Sequence, residues 1–270
     1  MNILILGTGT VEQKLISLCL KSRLLDHIYT ASNEPLKDIP NVEYKDYIDL
    51  SNKAKALQAD IVLVADKNLI KDGAVEILRK RMLNVISVNQ KWFNLESSRI
   101  VAKQLMNYYS INNPDVIKAP VVFPIVIKTV TPKTTKVVGT MQELVEVIEH
   151  VEGEATYLEE FMKGEIQYLL SLWDGKNLVQ FPFANNLTEV QEERLDLHKT
   201  KTTFMLSDEK ADFIGFFTTK LIWAKNDWHV LEYIMHIDEK PDFGLIKSDF
   251  LYVLNLAIYQ KLNELTRSFS

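Results

Sequence analysis

The strongest constraint on this chain is a series of short, unbroken apolar runs separated by helical patterns across its first third. Asn2–Leu6 is followed by the tight loop Gly7-Thr-Gly9-Thr10 and a helical stretch over Glu12–Ser22. Ile61–Ala65, Asn68–Arg81 and Asn84–Val88 repeat the order strand, helix, strand, with a further strand near His27–Thr30 and a helix over Leu50–Gln58. A strand that is apolar at successive positions is buried on both faces, which suits a parallel sheet covered by helices. Residues 1–92 therefore read as one Rossmann-like lobe. The Gly7-Thr-Gly9 loop lacks the third glycine of a dinucleotide fingerprint, and Asn33-Glu34 does not clearly end the second strand with a ribose-binding acid. An NAD dehydrogenase is not expected.

The pattern then changes. Residues 93–118 hold a linking helix over Ser97–Ser110, stopped by Asn112-Asn-Pro114. Residues 119–174 read as a small α+β lobe. It has a strand over Ile125–Lys128, a Thr/Lys-rich turn and a helix over Thr140–Val151, capped by Thr140 with Glu143 three residues on. Ala155–Tyr168 then reads as two strands joined across a short turn. One interpretation is an ordinary hairpin with Glu159, Glu160 and Glu165 in solvent. The other is a hinge whose backbone at Phe161 and Met162 meets a purine while a carboxylate meets ribose. Residues 175–270 form a second α+β lobe. After the turn at Asp174-Gly175 come strands over Leu178–Phe183, Phe213–Ala224 and Trp228–Met235, the last two paired across Asn226-Asp227, and a closing helix over Ile246–Thr266. The expected fold class is thus α/β and α+β, a Rossmann-like N-terminal lobe followed by two α+β lobes.

Charge and composition narrow the partners. A formal charge of −5 with no dense Lys/Arg run argues against nucleic acid and for small-molecule substrates. The single cysteine, Cys19, falls on the apolar stripe of its helix, so it is expected to be buried, and disulfide and zinc scaffolds are excluded. No apolar run reaches membrane-spanning length, and the six-residue apolar start reads as a strand and no signal peptide. A cytoplasmic protein without a membrane partner is expected; a homo-oligomer stays open. His198 and His229, scattered over different elements, are expected at the surface.

Four patches, in order, resemble the ATP-grasp superfamily and within it phosphoribosylamine–glycine ligase. Ile3-Leu-Ile-Leu-Gly-Thr-Gly-Thr-Val-Glu-Gln13 is similar to that family's opening strand and Gly-Ser-Gly-Gly-Arg-Glu-His loop. Leu95-Glu-Ser-Ser-Arg-Ile-Val-Ala-Lys103 is similar to its Glu-Gly-Ser-Lys helix. Tyr157-Leu-Glu-Glu-Phe-Met-Lys-Gly-Glu165 resembles its hinge. Val230-Leu-Glu-Tyr-Ile-Met-His-Ile-Asp238, followed by Leu245-Ile-Lys-Ser-Asp-Phe250, resembles its metal strand and the start of its next helix. The resemblance implies an ATP-grasp fold that uses ATP and Mg²⁺ to activate a carboxylate for capture by an amine. It assigns Lys128 and Arg99 to nucleotide phosphates, and the hinge residues Glu159, Glu160, Phe161 and Met162 to the adenine edge. Glu165 falls to ribose, Glu232 to magnesium, and Gly9, Glu12 and His236 to the substrate.

Departures from the family pattern fall where catalysis is concentrated. The second metal ligand, an asparagine in the family, is Ile234, so hydrocarbon replaces an oxygen donor. The Gly-rich phosphate loop is Val130-Thr-Pro-Lys-Thr-Thr-Lys136, where Lys133 and Lys136 could reach phosphate only as side chains. The first loop, Thr10-Val-Glu-Gln13, keeps Glu12 and loses the arginine that holds a sugar phosphate. A further contact region becomes Ala65-Asp-Lys67. Asn185–Asp212, in place of a Gly-rich catalytic loop, has no glycine, and the whole chain has only nine. The family's further C-terminal domain is expected to be missing. Two functions follow as expectations: an ATP-dependent carboxylate–amine ligase, or a degenerate relative that binds a nucleotide, a metabolite or a protein without turnover.

Overall fold

A computed structural model describes residues 1–118, 121–129, 134–150, 156–181, 183 and 186–268, the side chains of 266–268 excepted. Lys133 and the rest of the 130–133 turn, and the start of the 185–212 segment, lie outside the described residues.

The first lobe runs β1 (Asn2–Leu6), α1 (Thr10–Cys19), β2 (His27–Ala31), α2 (Tyr47–Ala56), β3 (Ile61–Val64), α3 (Lys67–Lys71), α4 (Ala74–Lys80) and β4 (Val85–Ile86). Its sheet has the order β2-β1-β3-β4, and every pair is parallel. All four residues of β3 are buried, as the apolar run requires. The expected single helix over 68–81 is two helices, because Gly73 takes a left-handed φ of 78° between them. Cys19 is buried, and burial pushes its thiol up to about 12, which leaves it inert at neutral pH.

Two helices follow where one was expected: α5 (Gln90–Ser97), capped by Asn89, and α6 (Arg99–Tyr108), capped by Ser98. The small sheet comprises β5 (Ile125–Thr129), β6 (Thr135–Val138) and β7 (Thr156–Glu160) in the antiparallel order β6-β5-β7, with α7 (Met141–His150) across it. The large sheet comprises β8 (Ile166–Trp173), β9 (Leu178–Gln180), β10 (Gly215–Ala224) and β11 (Asp227–Ile234) in the antiparallel order β11-β10-β8-β9. Between β9 and β10 lies α8 (Glu189–Asp208), a 20-residue helix opened by a Thr188/Gln191 capping box, where the sequence reading placed no helix. The closing helix, α9 (Phe250–Ile258), is shorter than the expected 246–266. Asp249 caps its start, and Gln260 breaks the helical path with a φ of 57°.

The segment around Phe161 is not a hairpin. β7 pairs with β5, whereas β8 pairs with β9 and β10, so the chain crosses from one sheet to the other over residues 161–165. The sequence reading had kept everything to residue 174 in the small lobe; Ile166–Trp173 is instead a central strand of the large sheet.

The first lobe and the large sheet share their core. One buried cluster joins Leu4, Val62 and Trp92 to Trp173, Phe217 and Tyr233. Another joins Ile3 and Ile5 to Leu170, Phe216 and Leu254. The Ser87 amide donates to the Ile214 carbonyl at 2.7 Å, and Arg79 donates to the carbonyls of Val85, Ser87 and Ile214 across the same seam. The small sheet buries a separate core of Ile125, Ile127, Val138, Leu144 and Val147. Among the described residues no helix is long and apolar enough to cross a membrane.

Candidate functional site

The crossing at 161–165 forms one wall of a cavity of about 160 Å³ between the two antiparallel sheets. That volume suits a purine ring and is well below the roughly 300 Å³ of a pocket enclosing a drug-sized molecule. Met162 packs on Ile222, Ala224 and Leu231, which fixes the floor, and Phe161 is half-exposed at the rim. A Cβ on Gly164 would stand 2.1 Å from the Trp223 carbonyl oxygen, so only glycine lets the crossing lie this close to β10. Among the described residues, the Phe161 and Met162 amides make no backbone hydrogen bond, which leaves two donors at the cavity edge.

A buried charge network lies behind this wall. Glu159 is only 2% exposed. It accepts from Lys103 at 2.6 Å through one carboxylate oxygen and pairs with Lys128 at 2.5 Å through the other. Lys103, on α6, also donates to the Pro114 carbonyl. Lys128, at the inward end of β5, reaches the Leu231 carbonyl at 3.4 Å. That carbonyl is available because the register slips between Lys220/Leu221 and leaves Leu231 as the extra residue of a bulge in β11. Burial pushes the Lys128 ammonium below its ordinary value, and Glu159 pulls it back up. Arg99 lines the cavity while donating to the Thr129 and Thr134 carbonyls and to Thr135 Oγ1. Glu160 points the other way, to Lys225 and the Asp115 amide.

The structure thus gathers Arg99, Lys128, Glu159, Glu160, Phe161, Met162 and Glu232 around one cavity. Glu165 is not among the lining residues; it is exposed and accepts from Gln167 at 2.6 Å. Lys103 and Lys220 were missed as site residues. Lys103 lies inside the quoted helix motif, but nothing in its spacing distinguishes a buried lysine from a solvated one.

The donors around Glu232 do not fit a protein-held magnesium ion. Mg²⁺ wants six hard oxygens in near-octahedral array. Directly across the strand pair from Glu232 is Lys220, a cation. Two residues on, Ile234 lies on the same face, half-buried, and the intervening Tyr233 turns into the core. Among the described residues no group of three acidic, histidine or cysteine side chains could hold a metal.

A second, open cleft of about 480 Å³ lies at the front, between the Gly7–Glu12 loop, Asp66 and the chain leaving β11. It brings Gly9, Glu12 and His236 together, as the sequence reading grouped them. Glu12 folds back over the loop: a Cβ on Gly9 would stand 2.9 Å from its Oε2. Burial raises the Glu12 carboxyl above its ordinary range, and Asp66 adds to the rise. His236 Nδ1 bonds Glu96 at 2.7 Å, and Asp238 lies 3.7 Å from its Nε2. Glu34, Asp66, Asp238 and Glu239 also line the cleft, against Lys67. Contrary to expectation, His198, on the buried face of α8, is 6% exposed, and desolvation lowers its pKa to about 4; His229 is half-buried.

A Rossmann-like lobe fused to a large antiparallel sheet, with a small sheet hinged over a purine-sized cavity, is the architecture of an ATP-grasp protein. Phosphoribosylamine–glycine ligase of Fusobacterium nucleatum is 25% identical over 319 residues, spanning 98% of this chain and 75% of that protein. The crystal structure of phosphoribosylamine–glycine ligase from Thermotoga maritima superposes with a TM-score of 0.74 at 18% identity, over 96% of this chain and 76% of that one. N5-carboxyaminoimidazole synthetase from Staphylococcus aureus, complexed with ADP, superposes at 0.67 with 14% identity, over 95% and 76%. No family model matches the sequence. The chain is an ATP-grasp relative of phosphoribosylamine–glycine ligase.

Proposed function

We propose that the cavity between the sheets binds an adenine nucleotide and that the protein is an ATP-dependent carboxylate–amine ligase of the kind its relatives are named for. The observation that carries the reading is the crossing of the chain between sheets at Phe161–Met162, with two free amides beside a buried cationic network. Bound ATP would supply the phosphoryl group that activates a carboxylate for capture by an amine, with ADP and phosphate leaving. The Phe161 and Met162 amides meet the base, and Lys128 and Arg99 face the phosphates. Lys103 keeps Glu159 neutralised when Lys128 turns to the nucleotide. The side chains beside Glu232, Lys220 across the strand pair and Ile234 on the same face, are not oxygen donors for Mg²⁺. The second substrate falls to the front cleft. Glu232 and His236 are separated by only three residues, at most about 14 Å of chain.

A second reading, nucleotide binding without turnover, is favoured by Lys220 and Ile234 standing where oxygen ligands would be needed, since phosphoryl transfer depends on positioned charge. Calorimetric titration with ADP and ATP tests binding. Phosphate release in the presence of glycine or other small carboxylates, with and without an amine, separates the two readings. Stimulated release establishes the ligase, and tight binding without release establishes the binding module. No binding of either nucleotide removes both.

A further inference from the structure

We infer that His236 is the proton acceptor for the amine in the front cleft, held to that task by Glu96. The inference rests on the ligase reading above and names the group that takes the proton when an amine attacks the activated carboxylate. Glu96, on α5, reaches the chain leaving β11, where its Oε2 accepts from the Met235 amide and from His236 Nδ1, each at 2.7 Å. A carboxylate oxygen only accepts, so a neutral His236 carries its proton on Nδ1 and keeps a lone pair on Nε2. The two edges of the ring meet different surroundings. Glu96 does not line the front cleft, whereas His236 and Asp238 do, and Asp238 Oδ2 lies 3.7 Å from Nε2. The lone pair is thus on the cleft side, and Asp238 stands beyond hydrogen-bond distance of it. Phe93, one turn before Glu96 on α5, sets its ring 6.4 Å from the imidazole, and the His236 and Glu96 side chains are each only 14% exposed, so the ring is held from two sides. The charged groups that face it are Glu96 from α5, Asp238 beyond β11 and Glu12 from α1, whose carboxyl the imidazole acts on electrostatically; Asp66 and Lys67 line the same cleft. The three carboxylates stabilise the imidazolium that forms when Nε2 takes a proton. A base fixed by an orienting carboxylate is the arrangement of general-base catalysis. In the step it serves, the lone pair of the amine nitrogen attacks the carbonyl carbon of the acyl phosphate made with ATP. The C–O bond to phosphate breaks, its electron pair leaves with the phosphate, and the surplus proton on nitrogen passes to His236 Nε2, which later returns it to solvent.

Two measurements on the full chain test it. Long-range proton–nitrogen correlation of histidine-labelled protein reads the tautomer without any substrate, with His236→Gln giving the assignment. His236 is expected in the Nδ1–H form when neutral; an Nε2–H form overturns the inference and leaves the ligase reading standing. The second measurement compares nucleophiles at neutral pH with ATP and glycine. Ammonia, supplied as ammonium, must shed a proton to form glycinamide, whereas hydroxylamine is already unprotonated and traps an acyl phosphate as the hydroxamate. His236→Gln is expected to lower glycinamide formation about a hundredfold more than hydroxamate formation, the lower end of what a general base contributes. Glu96→Gln keeps an acceptor for Nδ1 and removes the charge, so a smaller loss with the same bias towards ammonia is expected. Equal losses for the two nucleophiles in His236→Gln overturn the inference, since His236 would then be positioning the substrate, and so does no loss with either or hydroxamate without glycinamide from the wild type. If the wild type forms neither product and releases no phosphate, the ligase reading fails and this inference with it.

Discussion

The cavity between the sheets and the front cleft treat charge differently. The cavity between the sheets is lined by Arg99, Lys128 and Lys220 together with Glu159, Glu160 and Glu232, and its buried carboxylate, Glu159, is held by Lys128 and by Lys103 behind the wall. The front cleft is lined by Glu12, Glu34, Asp66, Asp238 and Glu239, and Glu12 folds over the helix N-terminus where the backbone would otherwise attract an anion. Cations and carboxylates alternate in the first, while carboxylates outnumber the single lysine, Lys67, in the second.

The largest test of this contrast is to remove Glu159. Glu159→Ala strands two buried lysines without their anion and is expected to destabilise the fold by about 3–5 kcal/mol in urea unfolding. A loss below about 1 kcal/mol, the ordinary worth of a surface pair, would mean the network is solvated and the contrast overstated. Next comes Gly164→Ala, which forces the crossing away from Trp223. It is expected to cost about 1–3 kcal/mol and to weaken ADP and adenosine alike, because it moves the wall rather than the charge. Unchanged adenosine binding would separate the crossing from base recognition.

Lys103→Met sharpens the comparison further. With Lys103 gone, Glu159 competes for Lys128, so ADP affinity is expected to fall by about tenfold while adenosine binding holds. Adding Glu159→Gln to that variant should recover ADP affinity; failure to recover would assign Lys103 a purely packing role. The smallest effect is in the front cleft. Because burial raises the Glu12 pKa, the folded chain binds a proton more readily than the unfolded one. Stability should therefore rise as pH falls through the folded value and level off below the unfolded one. Glu12→Gln should remove that acid-side gain in urea unfolding across the series, and an unaltered pH profile would show that Glu12 titrates as a solvated acid.

Much of the architecture was legible because burial writes a period into sequence. The apolar runs Asn2–Leu6 and Ile61–Ala65 read as strands covered on both faces, while Glu159-Glu-Phe-Met-Lys-Gly-Glu165 left a hairpin and a hinge both open. Boundaries were less legible. Gly73 divides a periodic stretch whose apolar pattern continues across the break, and α5, capped by Asn89, precedes the helix that was read over 97–110 and was not itself read as a helix. The helix α8 escaped because its apolar residues spread around its circumference: Val190, Leu197 and Phe204 are exposed while Met205 and Leu206 are buried. No single stripe announces it, and packing on the large sheet supplies what periodicity lacks.

The sequence by itself determined the parallel lobe, the antiparallel strands and the hydrocarbon side chain at Ile234, because each is a local matter of side-chain type and spacing. Tertiary structure alone decided that β7 and β8 join different sheets, that Lys103 and Lys128 share Glu159, and that Lys220 faces Glu232. Those relations join residues far apart in the chain, and an ion pair or a strand register depends on where two backbones are brought together, which no single stretch of sequence encodes.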